Sequence, residues 1–227
     1  MPAAAPVRND LFLDALSVSV FFAIMLLVNL LLAAAPLVLY LLKNISYNTF
    51  YFILNSTLSL SFMLTVLLYL KLYRKVALRR IPQVLGLSRS SISLRLIVVG
   101  ALLFFVVIAL SEITTVYNSV SGARISSNVG IVFGSAPIWA YLFSSFIAPI
   151  DEEVLFRAFL VPRLGVFISA AIFAVAHYGY NSIIEVVAAF IFGIIAGYIF
   201  RNSKSLYPSI IAHVLVNATT LLLPLLL

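Results

Sequence analysis

Long apolar runs account for most of the chain, and most of them are long enough to cross a lipid bilayer. A transmembrane helix needs about 20 predominantly apolar residues. Seven apolar runs are present, at 14–42, 48–70, 94–117, 131–160, 164–178, 183–200 and 206–225. The fifth is short, so we expect it to be tilted or partly re-entrant. Only 9% of the 227 residues are charged, whereas about a quarter are charged in a soluble domain. The sequence therefore predicts an all-α fold, a polytopic transmembrane helical bundle of about seven spans or eight helices.

We expect a single integral membrane domain over residues 1–227. Within it, residues 1–130 contain the N-terminal spans and a basic loop, and residues 131–227 contain the spans that carry polar motifs. The apolar stretch 15–42 is too long for the core of a cleavable signal peptide and is typical of an anchor. The chain has no cysteine, which excludes disulfides, thiol catalysis and thiolate metal sites.

Basic residues are distributed unevenly between the loops. The segment between the second and third runs contains Lys71, Arg74, Lys75, Arg79, Arg80, Arg89 and Arg95. Lys and Arg are enriched in cytoplasmic loops. Placing this segment inside puts 12 of the 14 basic residues on or towards the cytoplasmic side and leaves Lys43 and Arg124 outside. This pattern predicts a multi-pass protein of the cell membrane, with a cytoplasmic N-terminus and a C-terminus outside.

The same distribution bears on the partners of the protein. The net charge of +7 is explained by the positive-inside rule, so we expect no nucleic-acid partner. Membrane lipids are expected partners, because a basic loop beside a bilayer binds anionic headgroups.

Three polar motifs lie inside the apolar runs of the second half. They read Glu152-Glu153-x-x-x-Arg157, Phe173-x-x-x-His177 and His213-x-x-x-Asn217. The chain has seven Asp and Glu and two His in total, and both histidines fall within these motifs. Ionisable groups inside a membrane are costly and usually functional. Because each needs a polar partner, we expect them to meet in the interior of the bundle.

The acidic motif predicts a division of roles between two glutamates. Pro149 indicates a kink or a restart of the helix, which would place Asp151 and the glutamates near a helix N-terminus. Glu153 and Arg157 are four residues apart, with the acid first, as in a helical ion pair. Glu152 projects about 100° away and is left free to act as a general base. The alternative is that all three acids are simply hydrated at the cytoplasmic interface.

The residue types favour hydrolysis of an acyl bond, most naturally a peptide bond. The chain has neither a Gly-x-Ser-x-Gly nor a His-Glu-x-x-His motif. Glu152 could deprotonate a water that His177 orients, while His213 and Asn217 stabilise the oxyanion. This mechanism needs no cofactor. The alternative is a zinc ion bound by Glu152, His177 and His213, since two His and one Glu form a known zinc set. The sequence leaves both open.

In this order, the three motifs resemble the CPBP family, which comprises CAAX-processing endopeptidases and bacteriocin-processing membrane proteins. The resemblance extends over residues 148–217. It includes Pro149, the stretch Ser205-Leu206-Tyr207-Pro208, and Gly193 and Gly197, whose spacing also predicts close approach of another helix. It implies an intramembrane endopeptidase of the glutamate type. The implied substrate is lipid-modified, as in a prenylated CAAX protein, or otherwise anchored in the membrane.

The resemblance also implies a role for each motif residue. The general base would be Glu152, with His177 beside it. His213 and Asn217 would supply the oxyanion donors. The supporting residues would be Glu153, Arg157 and Phe173.

The expected depths of these residues do not agree with one another. Counted from the predicted cytoplasmic ends of their spans at 1.5 Å per residue, Glu152 lies ~12 Å deep, His213 ~10 Å and His177 ~20 Å. We expect a tilt or break in the fifth run to bring them together. The site is then expected in the cytoplasmic half of the bilayer, opening toward the cytoplasm.

Two other classes of function fit parts of the sequence. A membrane scaffold or immunity protein could retain the motifs for structure alone. A small transporter could use the polar cluster as a proton relay, although the sequence shows no inverted repeat of the kind that many transporters have.

Overall fold

The regular structure is helical throughout the part of the chain that is described. The computed structural model describes residues 11–121, 129–180 and 182–226. Its α-helices are α1 Leu11–Leu41, α2 Tyr47–Leu68, α3 Ile81–Val84, α4 Leu94–Ser121, α5 Val129–Phe133, α6 Ile138–Leu142, α7 Ala148–Glu153, α8 Val161–Ala176, α9 Ile183–Ser203 and α10 Tyr207–Leu221. Wider π-helical segments occupy Tyr69–Tyr73, Phe143–Ile147 and Val154–Leu160. The predicted all-α fold is confirmed.

Six helical segments are long and apolar enough to cross a membrane. They are Leu16–Leu41, Tyr47–Tyr73, Leu94–Ser121, Ile138–Tyr180, Ile183–Ser203 and Tyr207–Leu225. Five of them agree with predicted runs to within a few residues. The predicted fourth and fifth runs both fall within Ile138–Tyr180, which is 43 residues long. The predicted start of the fourth run at Ile131 is wrong, because Pro137 is extended (φ −69°, ψ 150°) and separates α5 from α6.

The segment Ile138–Tyr180 folds back on itself at Gly165. This residue has φ 80° and ψ 171°, a conformation outside the helical region. The Ser169 hydroxyl donates a hydrogen bond to the Phe156 carbonyl, and the rings of Phe156 and Phe173 are 4.9 Å apart. In a straight helix, residues 13 positions apart would be about 20 Å apart. The predicted fourth and fifth runs are therefore the two antiparallel arms of one helical hairpin.

One end of the bundle contains most of the basic loops. Here the backbone N–H of Leu206 donates to the Gly86 carbonyl at 3.1 Å, and the Tyr207 hydroxyl donates to the Leu87 carbonyl at 2.9 Å. The Arg163 guanidinium lies over the Tyr69 ring, 5.2 Å from its centroid. We call this the basic end, formed by residues 69–95, 160–165 and 201–207.

The opposite end is held together mainly by aromatic contacts. The rings of Phe52 and Phe133 are 5.4 Å apart, and the Asn48 amide donates to the Ser135 hydroxyl at 3.1 Å. We call this the distal end, formed by residues 42–48, 129–137, 178–180 and 221–226.

The helix that carries the acidic motif does not restart at Pro149, as the sequence suggested. Ile147 and Ala148 both keep right-handed helical dihedrals. The irregularity is instead a π turn, in which the N–H of Ala148 donates to the Phe143 carbonyl five residues back. π segments of this kind are frequent at functional sites. Asp151 and the two glutamates therefore lie inside a continuous helical segment and not at a free helix N-terminus.

Small residues allow α9 to pack closely against α8. A Cβ atom added at Gly193 would lie 2.9 Å from the Cβ of Ala170, and one added at Gly197 would lie 2.9 Å from Cγ1 of Val166. Contacts this short leave no room for a side chain. The close approach predicted from the spacing of these glycines is confirmed.

Replacing Gly165 by alanine should destabilise the hairpin. A Cβ there would meet no atom within 4 Å, so only the backbone conformation is at issue. We expect Gly165→Ala to lower the free energy of unfolding by about 1–3 kcal/mol, the usual cost of a strained backbone residue. Thermal unfolding in detergent measures the change. Gly179→Ala is the matched control, because its Cβ also meets nothing within 4 Å while its φ is not positive. Equal melting temperatures for the two variants would contradict the prediction.

Candidate active site

The hairpin brings the first two motifs to the same level. Glu152 lies 13 residues before the turn at Gly165, and His177 lies 12 residues after it on the returning arm. The difference in depth expected from the sequence disappears, because the turn is at Gly165 and not at the predicted span ends. Phe173 contacts both histidines, with ring centroids 4.5 Å from His177 and 5.8 Å from His213. Residues from all three motifs therefore meet in one region.

A buried ion pair forms the centre of this region. Oε2 of Glu153 is 3.1 Å from Nε of Arg157, and both side chains are 0% exposed. The guanidinium carbon of Arg157 lies 4.3 Å from the centroid of Phe173 and 5.4 Å from that of Phe192. The predicted pair of Glu153 and Arg157 is present, and aromatic rings hold the cation in place.

Glu153 also binds His213. Its Oε1 is 3.1 Å from Nδ1 of the imidazole. Because a carboxylate only accepts hydrogen bonds, Nδ1 carries the proton and donates a hydrogen bond to Glu153. The other ring nitrogen, Nε2, then points to Oε2 of Glu152 at 3.7 Å. Arg157, Glu153, His213 and Glu152 form a continuous polar chain in this order.

Glu152 differs from Glu153 in both exposure and partners. The side chain of Glu152 is 22% exposed, whereas that of Glu153 is fully buried. Oε2 of Glu152 has no hydrogen-bond partner among the described residues. This arrangement agrees with the predicted division, in which Glu153 neutralises Arg157 and Glu152 remains available.

His177 is oriented by the backbone of its own helix. Its Nδ1 is 2.9 Å from the Phe173 carbonyl oxygen. Since a carbonyl can only accept, Nδ1 is the donor, and in the neutral ring Nε2 is left with a lone pair. His177 can therefore accept a hydrogen bond or a proton through Nε2.

Asn217 is oriented by a helix on the other side of the site. Its Nδ2 donates to the Ser144 carbonyl at 2.9 Å. Ser144 lies in the π turn that precedes the acidic motif, so this bond joins α10 to the segment that carries the glutamates. An amide nitrogen has two hydrogens, so one N–H of Asn217 is used for orientation and the second can serve a ligand.

A cavity of about 750 Å³ adjoins these groups. Its wall includes Phe173 and the four residues predicted to carry the chemistry, Glu152, His177, His213 and Asn217. Helices α2 and α4 supply the opposite side, with apolar residues and with hydroxyl and amide groups. A volume of this size falls within the usual range of ligand sites. The structure thus brings together, around one cavity, all the residues singled out in the sequence as carrying chemistry.

The position of the cavity differs from the expectation. The sequence predicted a site that opens toward the basic loops. The cavity instead begins at the level of Phe156 and His213 and extends to Phe133, Tyr180 and Leu221 at the distal end. On the other side of the site, the interior is filled by buried side chains such as Phe159, Leu160, Phe200 and Leu206. The cavity therefore faces away from the basic end.

The structure gives a definite place to two acids to which the sequence assigned no role in the site. Asp151 is 0% exposed and accepts a hydrogen bond from the Ser59 hydroxyl at 3.1 Å. The alternative of three hydrated acids is therefore wrong for Asp151 and Glu153. Glu185, in the first turn of α9, also lines the cavity. It could have been noticed as an acid at the start of an apolar run.

The ligand set proposed for zinc surrounds the cavity without forming a compact cluster. Glu152, His177 and His213 all line the cavity wall. Among the described residues, however, no group of three or more His, Cys, Asp and Glu side chains is placed to hold a metal ion.

The two glutamates should differ sharply in their effect on stability. Glu153→Gln leaves the buried guanidinium of Arg157 without its counter-charge, and breaking a buried pair in this way costs about 3–5 kcal/mol. We expect Glu152→Gln to have a much smaller effect, because Glu152 is partly exposed to the cavity. Melting temperatures of the two purified variants in detergent compare them directly. A variant of Glu152 as unstable as that of Glu153 would assign Glu152 a structural role.

Comparison with known proteins bears on this site directly. A family model described as Type II CAAX prenyl endopeptidase Rce1-like matches residues 134–219, which is less than half of the chain. No curated protein and no solved structure matches the chain. Together with the six apolar helices, the family match supports an integral membrane protein and, at the level of the family, an intramembrane endopeptidase. The matched residues include all three polar motifs, and the match therefore confirms the resemblance to the CPBP family.

Proposed function

We propose that the protein is an intramembrane endopeptidase that cleaves a lipid-modified or membrane-anchored peptide with a water activated by Glu152. The observation that carries this proposal is the placement of Glu152 at the wall of the cavity, with its Oε2 3.7 Å from Nε2 of His213. A partly exposed carboxylate beside a cavity, with no salt bridge to Lys or Arg among the described residues, can remove a proton from a water molecule. The family match supports peptide-bond hydrolysis and a substrate held at the membrane.

In the first step, Glu152 removes a proton from water, and the resulting hydroxide attacks the carbonyl carbon of the scissile bond. His177 orients this water through Nε2, because its Nδ1 is occupied by the Phe173 carbonyl. The attack forms a tetrahedral intermediate whose carbonyl oxygen is negatively charged. Collapse of the intermediate breaks the C–N bond, and the proton held by Glu152 passes to the leaving amine. The products are a carboxylate and an amine, as hydrolysis requires.

His213 and Asn217 stabilise the negative oxygen of the intermediate. His213 already donates from Nδ1 to Glu153, so it can donate from Nε2 only as the doubly protonated imidazolium. Asn217 adds its second N–H, while its first remains bound to Ser144. Fixed donors of this kind typically contribute factors of about 10²–10³ to the rate.

Replacing Glu152 tests the proposal. We expect Glu152→Gln to lower the cleavage rate about 10²–10⁴-fold, the usual contribution of a general base, while the melting temperature is largely retained. The assay follows cleavage of a prenylated CAAX peptide in detergent. Glu112→Gln is the matched control, because Glu112 is an exposed acid on α4 that does not line the cavity. Unchanged turnover of the Glu152 variant would contradict the proposal, and a variant that fails to fold would support a structural scaffold instead.

Chelation separates the glutamate mechanism from the zinc alternative. We expect cleavage to continue after treatment with a strong chelator, because Glu152 and His177 suffice to activate water. Activity that is lost on chelation and restored by added zinc would instead assign Glu152, His177 and His213 as metal ligands. Residual zinc in the purified protein, measured by elemental analysis, provides an independent control.

A further inference from the structure

A tyrosine to which the proposed mechanism gives no role lies in the wall of the cavity. Tyr180 is the last residue of the 3₁₀ turn His177–Tyr180, which follows α8. Its ring centroid is 6.0 Å from that of His177, and its side chain packs against the apolar cluster that contains Phe133. Tyr180 lines the same cavity as Glu152 and His177. The phenol is therefore placed beside the groups to which the activation of water is assigned.

The hydroxyl of Tyr180 has no hydrogen-bond partner among the described residues. By contrast, the hydroxyls of Tyr141 and Tyr207 donate to backbone carbonyls at 2.7 and 2.9 Å. A phenol in apolar surroundings usually finds a partner, because an unpaired polar group away from water is costly. The charges of Glu152 and Glu185 both act on Tyr180, yet neither carboxylate is hydrogen bonded to its hydroxyl. The O–H group of Tyr180 is therefore available to a ligand that enters the cavity.

A peptide that leaves water needs a hydrogen-bond donor for each carbonyl oxygen that it buries. In the proposed mechanism, His213 and Asn217 donate to the carbonyl oxygen of the scissile bond, while Glu152 and His177 act on the attacking water. These four residues leave the carbonyl oxygens of the neighbouring peptide units without a donor. A phenolic hydroxyl has one hydrogen to donate, so Tyr180 can serve one of them.

We propose that Tyr180 binds the substrate by donating a hydrogen bond from its hydroxyl to a backbone carbonyl next to the scissile bond. This inference rests on the function proposed above and adds a substrate-binding residue to it. The group recognised is the peptide backbone, so the contact does not depend on the side chains of the substrate and is compatible with a CAAX sequence. Because the bond is made equally in the bound substrate and in the transition state, it contributes to binding and not to the chemical step.

Tyr178 allows binding to the substrate to be separated from a general effect of tyrosine at this place. It lies in the same 3₁₀ turn, is 68% exposed and does not line the cavity. A 3₁₀ helix has three residues per turn, so side chains two residues apart point in different directions. Tyrosines are also enriched at membrane interfaces as anchors. A role as an anchor would apply to Tyr178 at least as well as to Tyr180, whereas contact with the substrate would apply to Tyr180 alone.

Steady-state cleavage of a prenylated CAAX peptide by two matched variants tests this role. Tyr180→Phe removes the hydroxyl and keeps the ring that packs against the cluster, so we expect its melting temperature to be retained. We expect this variant to raise KM about 3–10-fold, as the loss of one hydrogen bond would produce, with little change in kcat. Tyr178→Phe should leave both constants unchanged. An unchanged KM for Tyr180→Phe would overturn the proposal, and so would a fall in kcat alone, which would assign the hydroxyl to the reacting atoms.

Binding measured without turnover separates this inference from the proposed function. The affinity of a fluorescent prenylated CAAX peptide is compared between Glu152→Gln and the double variant that also contains Tyr180→Phe. We expect the second substitution to weaken binding about 3–10-fold, and Tyr178→Phe in the same background to have no effect. If Glu152→Gln cleaves as fast as the unmodified protein, the proposed function fails. If Glu152→Gln is inactive but the added Tyr180→Phe leaves the affinity unchanged, the peptidase assignment stands and the role of Tyr180 is wrong.

Discussion

The organisation of the site depends on the buried ion pair between Arg157 and Glu153. A guanidinium without exposure to solvent requires a counter-charge, and Glu153 provides it at 3.1 Å. The second oxygen of Glu153 accepts a hydrogen bond from Nδ1–H of His213, so the same carboxylate fixes the ring that faces the cavity. Its sequence neighbour Glu152 is thereby left beside Nε2 of His213 and partly exposed. The ion pair thus accounts for the different surroundings of the two glutamates.

The turn at Gly165 is the second requirement. Without it, the segment from Ile138 to Tyr180 would continue in one direction, and His177 would lie far from Glu152. With it, the two arms run side by side, and Phe156 packs against Phe173 across the hairpin. The small residues Gly193 and Gly197 then allow α9 to pack against the returning arm. The hairpin is therefore the element that converts motifs spaced along the chain into a single site.

The basic side chains and the cavity lie toward opposite ends of the bundle, so the two ends are chemically different. Basic side chains are concentrated at one end of the bundle, and the cavity extends to the other. The half between the site and the basic end is closed by tightly packed apolar side chains. Glu152 therefore has the cavity on one side and the packed core on the other.

The sequence alone determined the helical membrane fold, the approximate spans, and the polar residues that would meet in the interior, because hydropathy and the cost of charge in lipid act locally. The pairing of Glu153 with Arg157 was also predictable, since both residues lie on one turn of the same helix. Only the tertiary structure decided that His177 lies level with Glu152 and that Glu153, besides pairing with Arg157, accepts a hydrogen bond from His213. It also decided that Glu185 lines the cavity and toward which end the cavity extends. These features depend on where the chain reverses at Gly165 and on contacts between residues far apart in sequence, which no local pattern of apolar and polar residues records.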